Sequence, residues 1–360
     1  MDNFQDGYGI IDKALHYFAF KTTRLQIALA KQESLDIEEK LKLIKLKKPV
    51  FISSLPRSGT TILLESLTQT ELFSYHSYQD MPFILTPLIW SKFTRMLTLD
   101  ETFRERAHND GIKINPYSPE AFEEMLFMAF WPQAYTDTAI PYWQTSQHKK
   151  FDTFFSEHIK KLIWRDRHKK NGTKRRYLSK NNLNIIRLPY IKQLFPDSLL
   201  LIPFREPIQH ALSLLKQHQN FTNMHQDNKF SMHYMRAIGH FDFGANLKPM
   251  NFNHWYEHTV FKPDTLNFWL EYWLQTYQYL LETDNTEKKF ISFDNLCKNP
   301  RYSFNVLFEH LQIDHNRLEK SIAMIKEAKP HQTDKHILDQ QNTKAAQTIY
   351  QRLLDVAIIN

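Results

Sequence analysis

The stretch Phe51-Ile52-Ser53-Ser54-Leu55-Pro56-Arg57-Ser58-Gly59-Thr60-Thr61-Ile62-Leu63-Leu64 limits what this 360-residue chain can fold into more than any other. A short apolar run meets a Pro/Gly turn, and Thr60 to Leu67 then carry apolar residues at helical spacing. That order predicts a buried strand, a tight turn and a helix. Such a unit aims unpartnered first-turn N–H groups and a helix dipole at one point, which attracts an anion. Gly59 permits close approach of the backbone, Ser58, Thr60 and Thr61 offer hydroxyls, and Arg57 brings a permanent cation. The stretch reads as a phosphate cradle, although an ordinary capped strand-to-helix turn would use some of the same residues. It is not the common nucleoside-triphosphate loop G-x-x-x-x-G-K-[ST], because Thr60 follows Gly59 and Ser54 stands where the earlier Gly would be.

Alternating elements continue along the chain. Apolar runs at Leu199–Phe204 and Lys289–Phe293 predict strands, and a short strand or extended turn falls within Glu71–Tyr78. Helical spacing marks Ile10–Ala30, with Ile11, Leu15, Phe18, Leu25 and Leu29 on one face, and also Asp36–Lys45, Phe151–Trp164 and Asp264–Glu282. Pro82 is placed to begin a helix toward Leu97, Ser118-Pro119 to cap one through Phe130, and Pro207 one through about Phe221. A helix is also expected from Asn182 to Phe195. Strands alternating with helices argue for an α/β fold, a parallel sheet covered by helices. We expect one domain over 1–360, with an N-terminal helical extension (1–48), an aromatic- and His-rich lid or insertion (223–262) and C-terminal helices (314–360).

Composition narrows the class. A formal charge of +7 suits an anionic ligand or surface, but the basic residues are dispersed, without a basic recognition helix. The single cysteine, Cys297, excludes an internal disulfide framework and fits a reducing compartment. The acidic-polar start Met1-Asp2-Asn3-Phe4-Gln5-Asp6 lacks a signal peptide's features, and no apolar run reaches the roughly 18 residues of a membrane span. Cytoplasmic is the expected location.

The second informative stretch is Leu201-Ile202-Pro203-Phe204-Arg205-Glu206-Pro207-Ile208-Gln209-His210-Ala211-Leu212-Ser213. Arg205 closes a strand, where ligands bind in open α/β sheets. Ser213 follows eight residues later, about two helical turns, so an Arg and a hydroxyl can grip a second phosphate. Together the two stretches resemble the sulfotransferases that use 3′-phosphoadenosine 5′-phosphosulfate (PAPS). Leu55 to Thr61 is similar to their 5′-phosphosulfate loop, and Arg205 with Ser213 to their 3′-phosphate site. Phe293-Asp294-Asn295-Leu296-Cys297-Lys298-Asn299-Pro300 looks like their late acidic-Leu-x-x-x-Pro turn. The resemblance runs from about Val50 to Pro300 and implies the P-loop-like sulfotransferase fold. Arg57 stands where cytosolic small-molecule members carry Lys, which looks more like the carbohydrate- and protein-modifying branches and many bacterial members. No C-terminal basic-Gly element is evident.

The resemblance implies in-line transfer of a sulfuryl group to a hydroxyl acceptor, a carbohydrate or glycolipid slightly favoured. The product would be adenosine 3′,5′-bisphosphate, and no metal is called for. Arg57, Ser58, Gly59, Thr60, Thr61, Arg205 and Ser213 would bind the nucleotide. Related members place a Lys-containing loop near the sulfuryl group, where this chain has Lys180. Asp80, 23 residues after Arg57, is the expected general base, with His76, His108 and Glu124 as rivals. Other classes stay in view. His254-Trp255-Tyr256-Glu257-His258 fits the H-x-x-E-H pattern of some zinc peptidases, which needs a helix presenting both His to the metal. A basic nucleic-acid-binding module is a further reading, and a nucleotide kinase is disfavoured by the missing loop Lys.

Overall fold

The structure, a computed structural model, describes residues 9–96, 102, 104–105, 113–143, 148–283, 287–326 and 338–360. Its centre is a five-stranded sheet whose strands we number β1 (Val50–Ile52), β2 (Phe73–Ser74), β3 (Arg176–Lys180), β4 (Leu199–Phe204) and β5 (Lys288–Ser292). The order is β2-β3-β1-β4-β5 and every pairing is parallel. β1 is therefore central, with the chain passing first to one side of it and later to the other. A continuous apolar strand buried on both faces is what a central parallel strand requires, and all three residues of β1 are fully buried.

Alternation along the strands sorts the core into two layers. Val50 and Ile52 share a face with Leu178, Leu201 and Ile291, packed beneath Leu63, Leu64 and Leu67 of the helix Thr60–Thr68. Phe51 points the other way with Leu200 and Ile202, into a larger cluster with Phe155 and Ile159 of helix Lys149–Arg165 and Trp273 and Tyr277 of helix Leu266–Glu282. The chain's end closes the far edge, where Ser292 N–H donates to Ile359 O at 2.9 Å.

Several sequence expectations change. The predicted helix Ile10–Ala30 breaks at Thr22 into Ile10–Lys21 and Thr23–Asp36, and its face is inverted. His16, Ala19, Gln26, Ala30 and Glu33 are buried, whereas Ile11, Phe18, Leu25 and Leu29 are exposed. A polar network pulls that face inward. Gln26 Nε2 donates to Ala19 O at 2.7 Å across the break, and Glu33 pairs with buried Lys161 at 3.3 Å. The helix expected from Pro82 begins at Pro87 instead. Ser118-Pro119 caps no helix: Pro119 bridges Ser77 antiparallel, Glu120 N–H donates to His76 O, and the helix waits until Glu124–Phe130. Within 223–262 the helix from Pro207 runs on to Asp227, and Met250–Asn251 pairs with Ile140–Pro141. Phe243, Phe252 and Trp255 of this segment are buried in the core.

Candidate active site

The C-terminal ends of β1, β3, β4 and β5 open on one edge of the sheet, and the expected site residues lie along it. After β1 the chain stays paired for one more residue, Ser53 N–H donating to Leu201 O at 3.0 Å. Ser54 Oγ then donates to Pro203 O at 2.6 Å and lies 2.8 Å from the Tyr277 hydroxyl, fixing the loop's root. The turn follows with two left-handed residues, Arg57 (φ 70°) and Gly59 (φ 96°), before the helix begins at Thr60. Gly59 is required twice over. Its φ suits only glycine at low cost, and a Cβ there would come within 2.1 Å of the Phe293 ring. Arg57 holds its unfavourable φ because neighbours grip the backbone around it. His210 Nε2 donates to Pro56 O at 2.8 Å, and Arg205 Nη1 donates to Arg57 O at 3.3 Å.

Arg205 leaves β4 directly beside this turn, and the helix Pro207–Asp227 brings Ser213 round to the same place. Arg57 Nε donates to Ser213 Oγ at 3.3 Å, so the two halves read separately in the sequence meet through their own side chains. Asp294, just past β5, lies 3.9 Å from Arg205 Nε and accepts the Glu206 N–H at 2.8 Å. Arg205 is buried, yet its Nε has no hydrogen-bond partner. Burial pulls its pKa down, with Asp294 acting in the opposite sense. A desolvated guanidinium N–H beside a second cation and a helix N-terminus is an arrangement completed by an anion.

Lys180 ends β3 in register with Ile52, one strand over from the cradle, and the following Asn181 N–H donates to Ile52 O at 3.0 Å. Ser58 takes a different part from the one expected. It is fully buried and its hydroxyl donates to Leu55 O at 2.8 Å, so its proton stabilises the turn.

Asp80 is also placed differently from a general base. It is 3% exposed, its Oδ1 accepts from Arg165 Nη1 at 2.5 Å, and its Oδ2 accepts from Ser77 N–H at 2.8 Å. Both oxygens are taken by structural partners, Arg165 being shared with Asp166 at 3.2 Å. The rivals are enclosed as well. His76 Nε2 meets His158 Nε2 at 2.8 Å, and burial pushes the His76 pKa down to about 4. Glu124 accepts from Arg187 Nη2 at 2.5 Å and from Asn181 Nδ2 at 2.7 Å. His108 lies outside the described residues. The H-x-x-E-H stretch forms a single turn, Trp255–His258, with His254 ahead of it in the left-handed region and paired to Glu257 at 3.2 Å. Among the described residues no group of three or more His, Cys, Asp and Glu is placed to hold a metal ion.

Sequence reasoning passed over several residues that the fold brings to this region. His210 carries the turn, and its pKa is pushed down to about 3, by burial first and then by Arg205. It sits three residues after Pro207 on the same helix as Ser213, a spacing that could have signalled it. In the sequence Phe293 and Asp294 stand out only as part of a late turn. His240 and Asp242 gave no signal. The two lie 3.8 Å apart, at 16% and 13% side-chain exposure, and Asp242 accepts from Asn182 Nδ2 at 3.3 Å, two residues beyond Lys180.

A parallel sheet with a strand–turn–helix unit after its central strand, and with Arg205 and Ser213 gathered beside that turn, frames the candidate site. The sulfotransferase family profile matches residues 49–243, and the chain belongs to that family. Similar solved structures include the sulfotransferase STF1 from Mycobacterium tuberculosis H37Rv, at 11% identity and TM-score 0.41, over 91% of this chain and 81% of that one. Another is STF9 from Mycobacterium avium, at 12% identity and TM-score 0.48, over 92% and 82%. A third is the sulfotransferase domain of the Synechococcus PCC 7002 olefin synthase, at 13% identity and TM-score 0.36, over 84% and 96%. A search of curated proteins found no match. Among the described residues no helix is long and apolar enough to cross a membrane.

Proposed function

We propose that this chain transfers the sulfuryl group of PAPS to a hydroxyl acceptor. The observation that carries this reading is the meeting of Arg57, Ser213 and Arg205 at the N-terminus of helix Thr60–Thr68, with a buried Arg205 N–H left unpartnered. When bound, PAPS supplies an activated sulfuryl group and a 5′-phosphate leaving group. Arg57 and the N–H groups of the cradle would neutralise the charge that builds on that phosphate. Arg205 and Ser213 would hold the 3′-phosphate, with Asp294, 3.9 Å from Arg205 Nε, beside the guanidinium. Lys180, at the end of β3, would supply a cation for the sulfuryl oxygens.

Asp80 is better read as the anchor of Arg165 than as the base. Proton acceptance from the acceptor hydroxyl is assigned instead to His240, oriented by Asp242. This pair reaches the strand end through Asn182 and is more open than Asp80, His76 or Glu124. Among acceptors we favour a carbohydrate or lipid-linked glycan, in keeping with Arg57 at the loop position where small-molecule enzymes carry Lys. Phe127, Trp131 and Phe243 are core, while Tyr117 and Tyr142 are exposed and offer faces on which a sugar ring can stack. With its sole cysteine buried, the chain suits the reducing cytoplasm.

The test is calorimetric titration with adenosine 3′,5′-bisphosphate beside ADP, both without magnesium. Clear binding of the bisphosphate, weaker binding of ADP and loss of the preference in Arg205→Ala support the reading. Equal or absent binding overturns it.

A further inference from the structure

Two rows of apolar side chains face away from the protein. Helices Ile10–Lys21 and Thr23–Asp36 bury polar residues and leave Phe18, Leu25 and Leu29 at 54, 52 and 39% exposure. Helix Pro87–Thr94 and the residues after it do the same with Ile89, Phe93 and Met96, at 42, 51 and 85%. These fall at i, i+4 and i+7, the spacing of a helix face that packs against something. Glu33 fastens the two stripes together. Its Oε1 accepts the N–H groups of Leu88 at 2.9 Å and Ile89 at 2.6 Å, one turn along from Leu29. The result is a fixed ledge, not a loose tail. Exposed apolar groups gathered on one face mark an interaction surface more often than chance.

The charge around the ledge selects the occupant. Lys21, Arg24, Lys31, Lys92 and Arg95 are exposed on the same helices, whereas Asp12 and Asp36 stand toward the ends. A second copy docked face to face would set these cations against one another, a repulsive arrangement. An anionic bilayer meets both demands, taking apolar side chains at the headgroup boundary and attracting the cations. We propose that this ledge docks the protein peripherally on anionic membranes. It hangs from the C-terminal end of β2, the edge on which the cradle also opens. Trp90 Nε1 ties it there by donating to Gln79 O at 3.0 Å and Met81 O at 2.9 Å. The docking requires no particular chemistry at the cradle, so it stands or falls separately from the sulfotransferase reading.

The test is co-sedimentation of the full chain with vesicles of phosphatidylcholine alone and of phosphatidylcholine mixed with phosphatidylglycerol. Partition into the anionic vesicles is expected, weakening as salt rises. Phe93→Ser with Met96→Ser should reduce it by about tenfold. Lys92→Gln with Arg95→Gln should reduce it by about fivefold for each charge removed. All four positions are exposed, and an unchanged circular dichroism spectrum and melting midpoint in each variant would certify the fold. No partition into anionic vesicles, or partition unaffected by both variants, overturns the proposal. A dimer in solution that dissociates in the Phe93→Ser/Met96→Ser variant would assign the ledge to a second copy and also overturn it.

Discussion

Replacing Gly59 by Ala should damage the chain through two separable effects. The first is local, since alanine at φ 96° costs about 1–2 kcal/mol. The second is steric: the new Cβ would lie 2.1 Å from Phe293 Cδ2 and 2.6 Å from its Cε2, so the ring must move. Overpacking of this kind costs about 1–3 kcal/mol, giving about 2–5 kcal/mol in total. Phe293 cannot move alone, because Asp294 next to it accepts the Glu206 N–H and faces Arg205. Bisphosphate affinity should therefore fall along with stability. The partition is tested by urea denaturation of Gly59→Ala, Phe293→Ala and the double variant. In the Phe293→Ala background the glycine substitution should cost only the backbone part, about 1–2 kcal/mol. Equal costs in both backgrounds would show that the ring does not constrain the turn and would refute the reasoning.

Other outcomes follow from the same geometry. Arg205→Ala should weaken bisphosphate binding by about 10- to 100-fold, the worth of charge-assisted hydrogen bonds, with ADP binding little altered by calorimetry. Asp80→Asn leaves Arg165 with one carboxylate, Asp166, and the Tyr75 carbonyl. The expected destabilisation in urea is near the lower end of about 3–5 kcal/mol, with bisphosphate affinity retained. His240→Gln should lower turnover, followed as bisphosphate release from PAPS with the best acceptor of a screen, by at least about 100-fold at unchanged bisphosphate affinity. Full turnover would remove His240 from the mechanism. Acid should destabilise the fold early, because His76 and His210 stay neutral in it down to about pH 4 and 3. The unfolded chain takes up both protons near the ordinary histidine value of 6.5, so stability falls as pH drops from about 6.5 toward 4, by up to about 3 kcal/mol per unit for the pair. Urea midpoints at pH 7 and pH 5 should show the loss, and His210→Gln should reduce the slope.

Local geometry was legible in the sequence wherever a few neighbouring residues decide the outcome. The cradle could be read because strand, glycine turn and helix are contiguous, and the Arg205-to-Ser213 spacing because one helix carries both ends. β3 went unrecognised as a strand, since Arg176–Lys180 follows a basic loop and its apolar character is confined to Tyr177 and Leu178. The N-terminal helices misled for a physical reason: the apolar stripe predicts the buried face only if nothing else claims the interior, and here the Glu33–Lys161 pair does. Asp80 shows the same limit. A carboxylate after the first βα unit invites a catalytic role, and only the fold places Arg165, 85 residues later, against it. Ser118-Pro119 carried a sound helix-start signal that lost to backbone pairing with the segment around His76.

The cradle turn, the Arg205 strand end and the Phe293-Asp294 step come from far-apart thirds of the chain, yet they touch one another around β1. On the proposed function no fragment holding one of them could grip the nucleotide at both ends, so nucleotide affinity would serve as an assay of whether the central sheet has closed. A ligand at about 100 times its dissociation constant would add about 2.7 kcal/mol to the stability of the assembled sheet. Cellular nucleotide would then stabilise this protein by holding together segments that lie far apart along the chain.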